Sequence, residues 1–287
     1  MKESKIICIG NFGWDLITLG KKTKKAVGGS ALRFIQVMAL FKLPTLVVSG
    51  INIRDKKWSE TLTVLKKNNI KFLLKKIDNI PVFKLKYNKD YKLKNFIGEN
   101  NREVEKLLEK LVTEINFSDY QLVHLCPLSL KLVKKIIREI KDKKIKTSLQ
   151  FHFSLLSKGN FNQWLEIFTK IDYLFISVED LNIAFGIGDF NLKDNIKNIS
   201  NKVRIALFLT DGSRGADVFS KGKLISQIPA FSLSHIKDPT GVGDIFAGGV
   251  IAGLMSFKNI TASARLGMIL TPLKLMGYLD KSIILRK

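Results

Sequence analysis

The chain has 287 residues, 46% of them hydrophobic, which is enough for one large α/β domain or two smaller ones and too many for a disordered chain. Its 48 Lys and Arg against 25 Asp and Glu leave a formal charge of +23. Two cysteines and three histidines exclude a disulfide-rich scaffold, a cysteine-dense zinc module and a His-rich metal site.

The segment Met1 to Lys5 leads into an apolar run, Ile6 to Ile9, too short for a signal-peptide core and without a small-residue cleavage site. The longest weakly polar stretch, Phe246 to Phe257, falls well below the ~20 residues that span a bilayer. Together these predict a soluble, cytoplasmic protein without a membrane partner. Only eight of the 48 basic residues are Arg, and the lysines are scattered in short groups such as Lys21-Lys22 and Lys143-Lys144. No arginine-rich arm, zinc-finger spacing or aromatic RNA-binding motif accompanies them. Solvated lysine faces account for the excess better than nucleic-acid binding does. A positive surface would still attract an anionic small-molecule substrate such as a nucleotide.

Short β-rich runs alternate with amphipathic stretches. Lys5 to Gly10 reads as a strand, Gly29 to Phe41 as a helix, Thr45 to Gly50 as a strand and Lys56 to Asn68 as a helix. Asn101 to Glu114 is predicted helical and Gln121 to Cys126 a buried strand. Leu128 to Asp142 carries Leu132, Val133, Ile136, Ile137 and Ile140 at helical spacing. Ile145 to Phe151, Tyr173 to Ser177 and Arg204 to Thr210 are further strands, and Gly241 opens a long helix. This alternation predicts an α/β fold with a parallel sheet covered on both faces. Pro81 to Ile97 breaks the rhythm: apolar and polar residues alternate around Asn88-Lys89-Asp90, the pattern of a half-exposed antiparallel hairpin. Projecting from an α/β body, it would make a lid.

The segment Lys237 to Gly249 carries the chemistry. Gly241 and Gly243 flank Val242 just before a helix, so their main-chain N–H groups are candidates for an anion hole. Asp244 on the first turn could accept a proton from an attacking hydroxyl. Taken alone, the same residues also fit an ordinary acidic start to a buried glycine-rich helix. The full run resembles the second signature of the ribokinase-like (PfkB) carbohydrate kinases: Asp238, Thr240, Gly241, Gly243, Asp244 and Phe246 fit, with Pro239 and Val242 departing from it.

The resemblance extends along nearly the whole chain, 1–287 as a single α/β domain. It implies a three-layer αβα sandwich with a mostly parallel central sheet and a small β lid from segments near 11–20 and 81–97. Asn11 and Asp15 resemble the family's opening motif, which binds substrate hydroxyls, and Gly28-Gly29 its substrate loop. The family's Asn is Arg33 here, and a guanidinium there would favour an acceptor carrying a carboxylate or phosphate. Thr210, Gly212 and Gly215 match a nucleotide loop, although a hairpin turn explains them equally. The family's Asn-x-x-Glu magnesium motif reads Ser177 and Asp180, with Glu179 adjacent; a plain acidic helix start is the other reading. Asp238 matches a residue near the family's monovalent-cation site.

The resemblance therefore implies an ATP- and Mg²⁺-dependent kinase acting on a hydroxyl of a sugar, sugar derivative or nucleoside. Asp244 would be the base, and the amides of Gly241, Val242 and Gly243 the anion hole. It also admits a monovalent cation and pairing of two copies through the lid. The rival is a non-catalytic nucleotide- or nucleic-acid-binding protein on a kinase scaffold. Cys126 reads as a buried small hydrophobe, and His124 and His152 as scaffold residues near the cleft.

Overall fold

Runs of four to seven mostly apolar residues build the large sheet of the computed structural model, which describes residues 5–52, 55–99, 101–141, 143–155, 161–185 and 192–279. Met1 to Ser4 and Asp142, included in the readings above, lie outside the described residues. The elements are β1 (Ile6–Ile9), β2 (Gly13–Leu19), β3 (Lys22–Gly28), α1 (Ser30–Leu40), β4 (Thr45–Ile51), α2 (Lys56–Lys67) and β5 (Ile70–Lys76). There follow β6 (Val82–Tyr87), β7 (Leu93–Glu99), α3 (Asn101–Leu111), β8 (Leu122–Leu125), α4 (Leu130–Ile140) and β9 (Lys146–Gln150). Then come α5 (Phe161–Phe168), β10 (Tyr173–Ser177), α6 (Val178–Phe185), α7 (Leu192–Lys202) and β11 (Ala206–Thr210). The last are β12 (Ala216–Ser220), β13 (Lys223–Ile228), α8 (Val242–Phe257) and α9 (Ile260–Leu275).

The large sheet runs β13-β12-β11-β10-β9-β8-β1-β4-β5. Its members from β11 to β5 are parallel, while β12 and β13 turn back antiparallel. β1, IICI, is buried at every position because both sheet faces are covered. Its alternation divides the core: Ile6 and Cys8 pack with Phe34 of α1, Trp58 of α2, Phe246 of α8 and Met268 of α9. Ile7 and Ile9 pack with Val104 of α3, Ile136 of α4, Trp164 of α5 and Ile199 of α7. This is the expected three-layer αβα sandwich. The five apolar residues of α4 named from their spacing are all buried, each worth about 1.5–3 kcal/mol against exposure.

The second sheet, β3-β2-β6-β7, is the lid. Asn88 Oδ1 accepts from the amides of Asp90 at 3.0 Å and Lys92 at 2.8 Å, which closes the predicted β6–β7 turn. The sheet is larger than that hairpin: β2 pairs with β6, and β3 extends the edge. Among the described residues no helix is long and apolar enough to cross a membrane.

Candidate active site

The carboxyl ends of the parallel strands open on one cavity of about 320 Å³, where α/β sheets receive ligands. Asn11 follows β1, Pro127 follows β8, Gln150 ends β9, Ser177 ends β10 and Thr210 ends β11, and all five line it. The lid closes the opposite side with Phe83, Leu85, Tyr87, Leu93 and Phe96. Their spacing follows from β6: Phe83, Leu85 and Tyr87 alternate with Lys84 and Lys86, which are exposed.

Gly241 is the N-cap of α8, with φ 78° and no side-chain cap. A Cβ there would lie 2.7 Å from Arg33 Cγ, so both the backbone angle and the neighbour require glycine. Gly241, Val242, Gly243 and Asp244 all line the cavity. The first turn of α8 thus turns its polar backbone end, with its partial positive charge, toward open space. Burial pushes the Asp244 carboxyl up to about 7, against a hydrogen bond from Gln150 and the charges of Arg33 and Lys274. Asp15 adds to the rise. A carboxyl so placed exchanges protons near neutral pH, which is what a general base needs.

Asp15 and Arg33 are each 3% exposed, with Arg33 Nη2 3.4 Å from Asp15 Oδ2. Arg33 also donates to the Val27 carbonyl at 3.2 Å and to Gln36 Oε1 at 3.4 Å. Burial raises the Asp15 carboxyl while Arg33 opposes the rise. Gly28 makes room for this carboxylate, since a Cβ there would fall 1.9 Å from Asp15 Oδ2. Gly28 is off the cavity wall, whereas Gly29 caps α1 and lines it. The side-chain oxygens Asn11 Oδ1 and Gln150 Oε1 are buried without a hydrogen-bond partner, and both residues line the cavity. Acceptors so placed are open to donors from water or from a ligand in the cavity.

The three residues expected to form a nucleotide loop divide. Thr210 lines the cavity, whereas Gly212 and Gly215 shape the β11–β12 turn away from its wall. Asp180 also lines the cavity, but Oδ1 accepts from the Phe153 amide at 2.7 Å and Oδ2 from the amide and hydroxyl of Ser177. Oδ2 therefore ties α6 to the end of β10, and Oδ1 ties it to the turn that follows β9. Glu179 is exposed and off the cavity wall. Among the described residues no group of three or more His, Cys, Asp and Glu could hold a metal. Asp238 lies beneath the α8 loop, 2% exposed. Burial raises its carboxyl, but Lys274, the Thr240 amide and Lys24 outweigh that and hold it well below the usual range.

His124 stacks on Phe34 at 3.9 Å and meets Ser148 Oγ at 2.9 Å, and burial lowers it to about 3. It is a neutral scaffold residue. Cys126 is buried 3.7 Å from Cys8. His152, by contrast, lines the cavity and sits 5.0 Å from the Phe96 ring.

Gln150, Tyr87, Phe83 and Phe96 were not singled out in the sequence. The first was available from its position at a parallel-strand end. The aromatic residues were available from the inward phase of the β6–β7 alternation.

The profile of the pfkB family carbohydrate kinases matches residues 14–270. A nucleoside kinase of Methanocaldococcus jannaschii is 26% identical over 103 residues, 36% of this chain and 32% of that protein. A ribokinase of Lactococcus lactis is 29% identical over 114 residues, 40% of this chain and 35% of that one. The matched stretches therefore span about a third of the length of these curated relatives. The fold is similar to that of Anopheles gambiae adenosine kinase, solved with a di-adenosine tetraphosphate. The TM-score is 0.80 at 13% identity, over 98% of both chains.

Proposed function

The chain belongs to the pfkB family of carbohydrate kinases, and on that premise we propose that it transfers the γ-phosphoryl group of ATP to a hydroxyl of a nucleoside. The observation that carries the reading is the Asp244 carboxyl at the uncapped start of α8, facing the same cavity as the unpartnered oxygens of Asn11 and Gln150. Those oxygens would accept hydrogen bonds from acceptor hydroxyls. Asp244 would take the proton of the reacting hydroxyl as its oxygen bonds to the γ-phosphorus and ADP departs. The amides of Gly241, Val242 and Gly243 would face the charge on the transferring group. Thr210 would meet the nucleotide phosphates.

Mg²⁺, when bound, neutralises phosphate charge. With Asp180 engaged by Phe153 and Ser177, and no protein cage among the described residues, this chain suits an ion held by phosphates and water, with Asp180 reaching it through a water molecule. Asp15 compensates Arg33, which leaves little positive charge for an anionic acceptor. A neutral acceptor fits better. ADP release that requires Mg²⁺ and a nucleoside tests the reading. Absence of release with any sugar, sugar acid or nucleoside, together with a salt-dependent shift on DNA or RNA, would favour the non-catalytic alternative.

The nucleoside assignment rests on the lid wall. Phe83 and Phe96 lie 6.2 Å apart, and Phe96 faces His152. Leu85 and Leu93 extend this apolar surface. A free pentose would leave it wet, whereas a planar base would cover it. Phe96→Ala should raise the nucleoside KM roughly ten- to hundredfold, from the value of one base–aromatic stack, with the ATP KM unchanged. An unaltered nucleoside KM, or equal use of free ribose by the parent enzyme, would reject this assignment.

Pairing through the lid is disfavoured by charge. Lys86, with Lys25 across the sheet, occupies its outer side while Lys84 is paired with Glu99, so two lids in contact would oppose lysines. Sedimentation at low ionic strength should show a monomer; a stable dimer lost on adding charge at Ile97 would contradict this.

A further inference from the structure

Lys274 is the most deeply buried cation among the described residues, at 0% exposure, yet it belongs to none of the groups that line the cavity. It sits on the last turn of α9, and its Nζ lies 3.1 Å from Asp238 Oδ2. The same oxygen accepts from Lys24 Nζ at 3.0 Å, while Oδ1 accepts the Thr240 amide at 2.9 Å. Main-chain bonds reinforce the junction: the amides of Lys237 and Asp238 donate to the Leu275 carbonyl at 2.8 and 3.3 Å. The end of α9 and the loop before α8 are therefore one knot.

From Asp238 the coupling to the site is short. Thr240, whose amide Asp238 holds, meets the Tyr87 hydroxyl of the lid at 3.2 Å. Gly241 follows as the α8 cap, and Asp244 lies one turn on. An alkali-metal ion at Asp238 does not fit this arrangement. Two ammonium groups already compensate the carboxylate, and an ion would have to displace a fully buried lysine.

We propose that the Lys274 ammonium serves as a built-in monovalent cation that positions the 238–244 segment through Asp238, so that phosphoryl transfer needs no alkali-metal ion. Lys274 touches no reacting atom and is a positioning residue. The proposal rests on the kinase reading above for its rate measurement, but not for its binding measurement. An ammonium and a potassium ion are close in size and equal in charge. Removing the lysine head should therefore leave an anionic cavity that potassium can enter.

The wild-type enzyme and Lys274→Met are compared in potassium, sodium and tetramethylammonium chloride at one ionic strength, by nucleoside phosphorylation and by thermal melting. Wild type should turn over and melt alike in all three salts. Lys274→Met in tetramethylammonium should lose about a hundredfold in kcat, the cost of a misplaced catalytic loop, with little change in ATP KM. Potassium should restore the rate and raise the melting temperature in a saturable way that tetramethylammonium does not reproduce. Asp238→Asn/Lys274→Met, which lacks both charges, should respond to no salt. Potassium activation of wild type, or a Lys274→Met melting temperature indifferent to potassium, overturns the proposal. So does failure to recover folded Lys274→Met in potassium. If no acceptor is phosphorylated, the kinase reading fails while the melting comparison still decides the cation question.

Discussion

Asp244→Asn should lower kcat by roughly 10²–10⁴-fold, the usual contribution of a positioned general base, while ATP still binds and the fold persists. Asparagine matches the carboxylate in shape and can keep a hydrogen bond to Gln150, but it cannot take the proton of a hydroxyl. Steady-state kinetics with calorimetric ATP titration checks both halves. Undiminished turnover would remove Asp244 from its role. The pH profile gives a second reading of the same group. With its carboxyl pushed up to about 7, wild-type turnover should fall about tenfold per unit below pH 6 and level off above pH 8. The residual activity of Asp244→Asn should lack that acidic limb.

The same shift has a cost for stability, and its sign is opposite to that of a paired surface carboxylate. Burial favours the protonated form of Asp244 in the folded state. Its stabilising contribution is thus complete below the ordinary carboxyl range and is lost as pH rises through about 7. Ionising it at pH 8 costs the fold on the order of 4 kcal/mol. Asp244→Asn should therefore melt higher than wild type at pH 8, and the difference should shrink toward pH 4. A base held ready by burial at the cavity wall trades stability for reactivity.

The parallel body was legible because its strands are nearly unbroken apolar runs. β10 begins and ends at Tyr173 and Ser177, as read from sequence, and α8 starts immediately after Gly241. The lid was half legible. β6 alternates cleanly because one face meets the cavity and the other meets water. β3, in contrast, reads KTKKAVG, and its lysines look like a solvated run; the pairing that makes it a strand comes from β2, not from its own pattern. α9 packs against α8 and against β12 and β13, so no single polar face marked it. Lys274 gave no signal at all, since a lysine in the last helical turn is the ordinary partner of the helix dipole. Only the fold brings it beneath Asp238. Asp15 and Arg33, the proposed substrate residues, were each visible, but their pairing was not: 18 residues and a β-hairpin separate them.

That pairing leads to the second large effect. Arg33→Met should destabilise the protein by about 3–5 kcal/mol at neutral pH, because it leaves the Asp15 carboxylate, 3% exposed, without its counter-charge. The loss should shrink as pH falls and Asp15 takes up a proton, since burial already raises its carboxyl and Arg33 is the main opposing charge. Asp15→Asn/Arg33→Met removes both charges and should recover much of the stability. Chemical denaturation at pH 7.5 and pH 5 for the three proteins separates these terms. A change below about 1 kcal/mol in Arg33→Met would mean the pair behaves like an exposed one. Catalysis should suffer beyond stability: the Arg33 side chain lies where any Cβ on Gly241 would fall, so its stem also shapes the turn into α8. Arg33→Met keeps an unbranched stem of similar girth, whereas Arg33→Ala removes it. Arg33→Ala should therefore show the lower kcat of the two under conditions where both are folded. Equal rates would assign Arg33 to charge compensation alone.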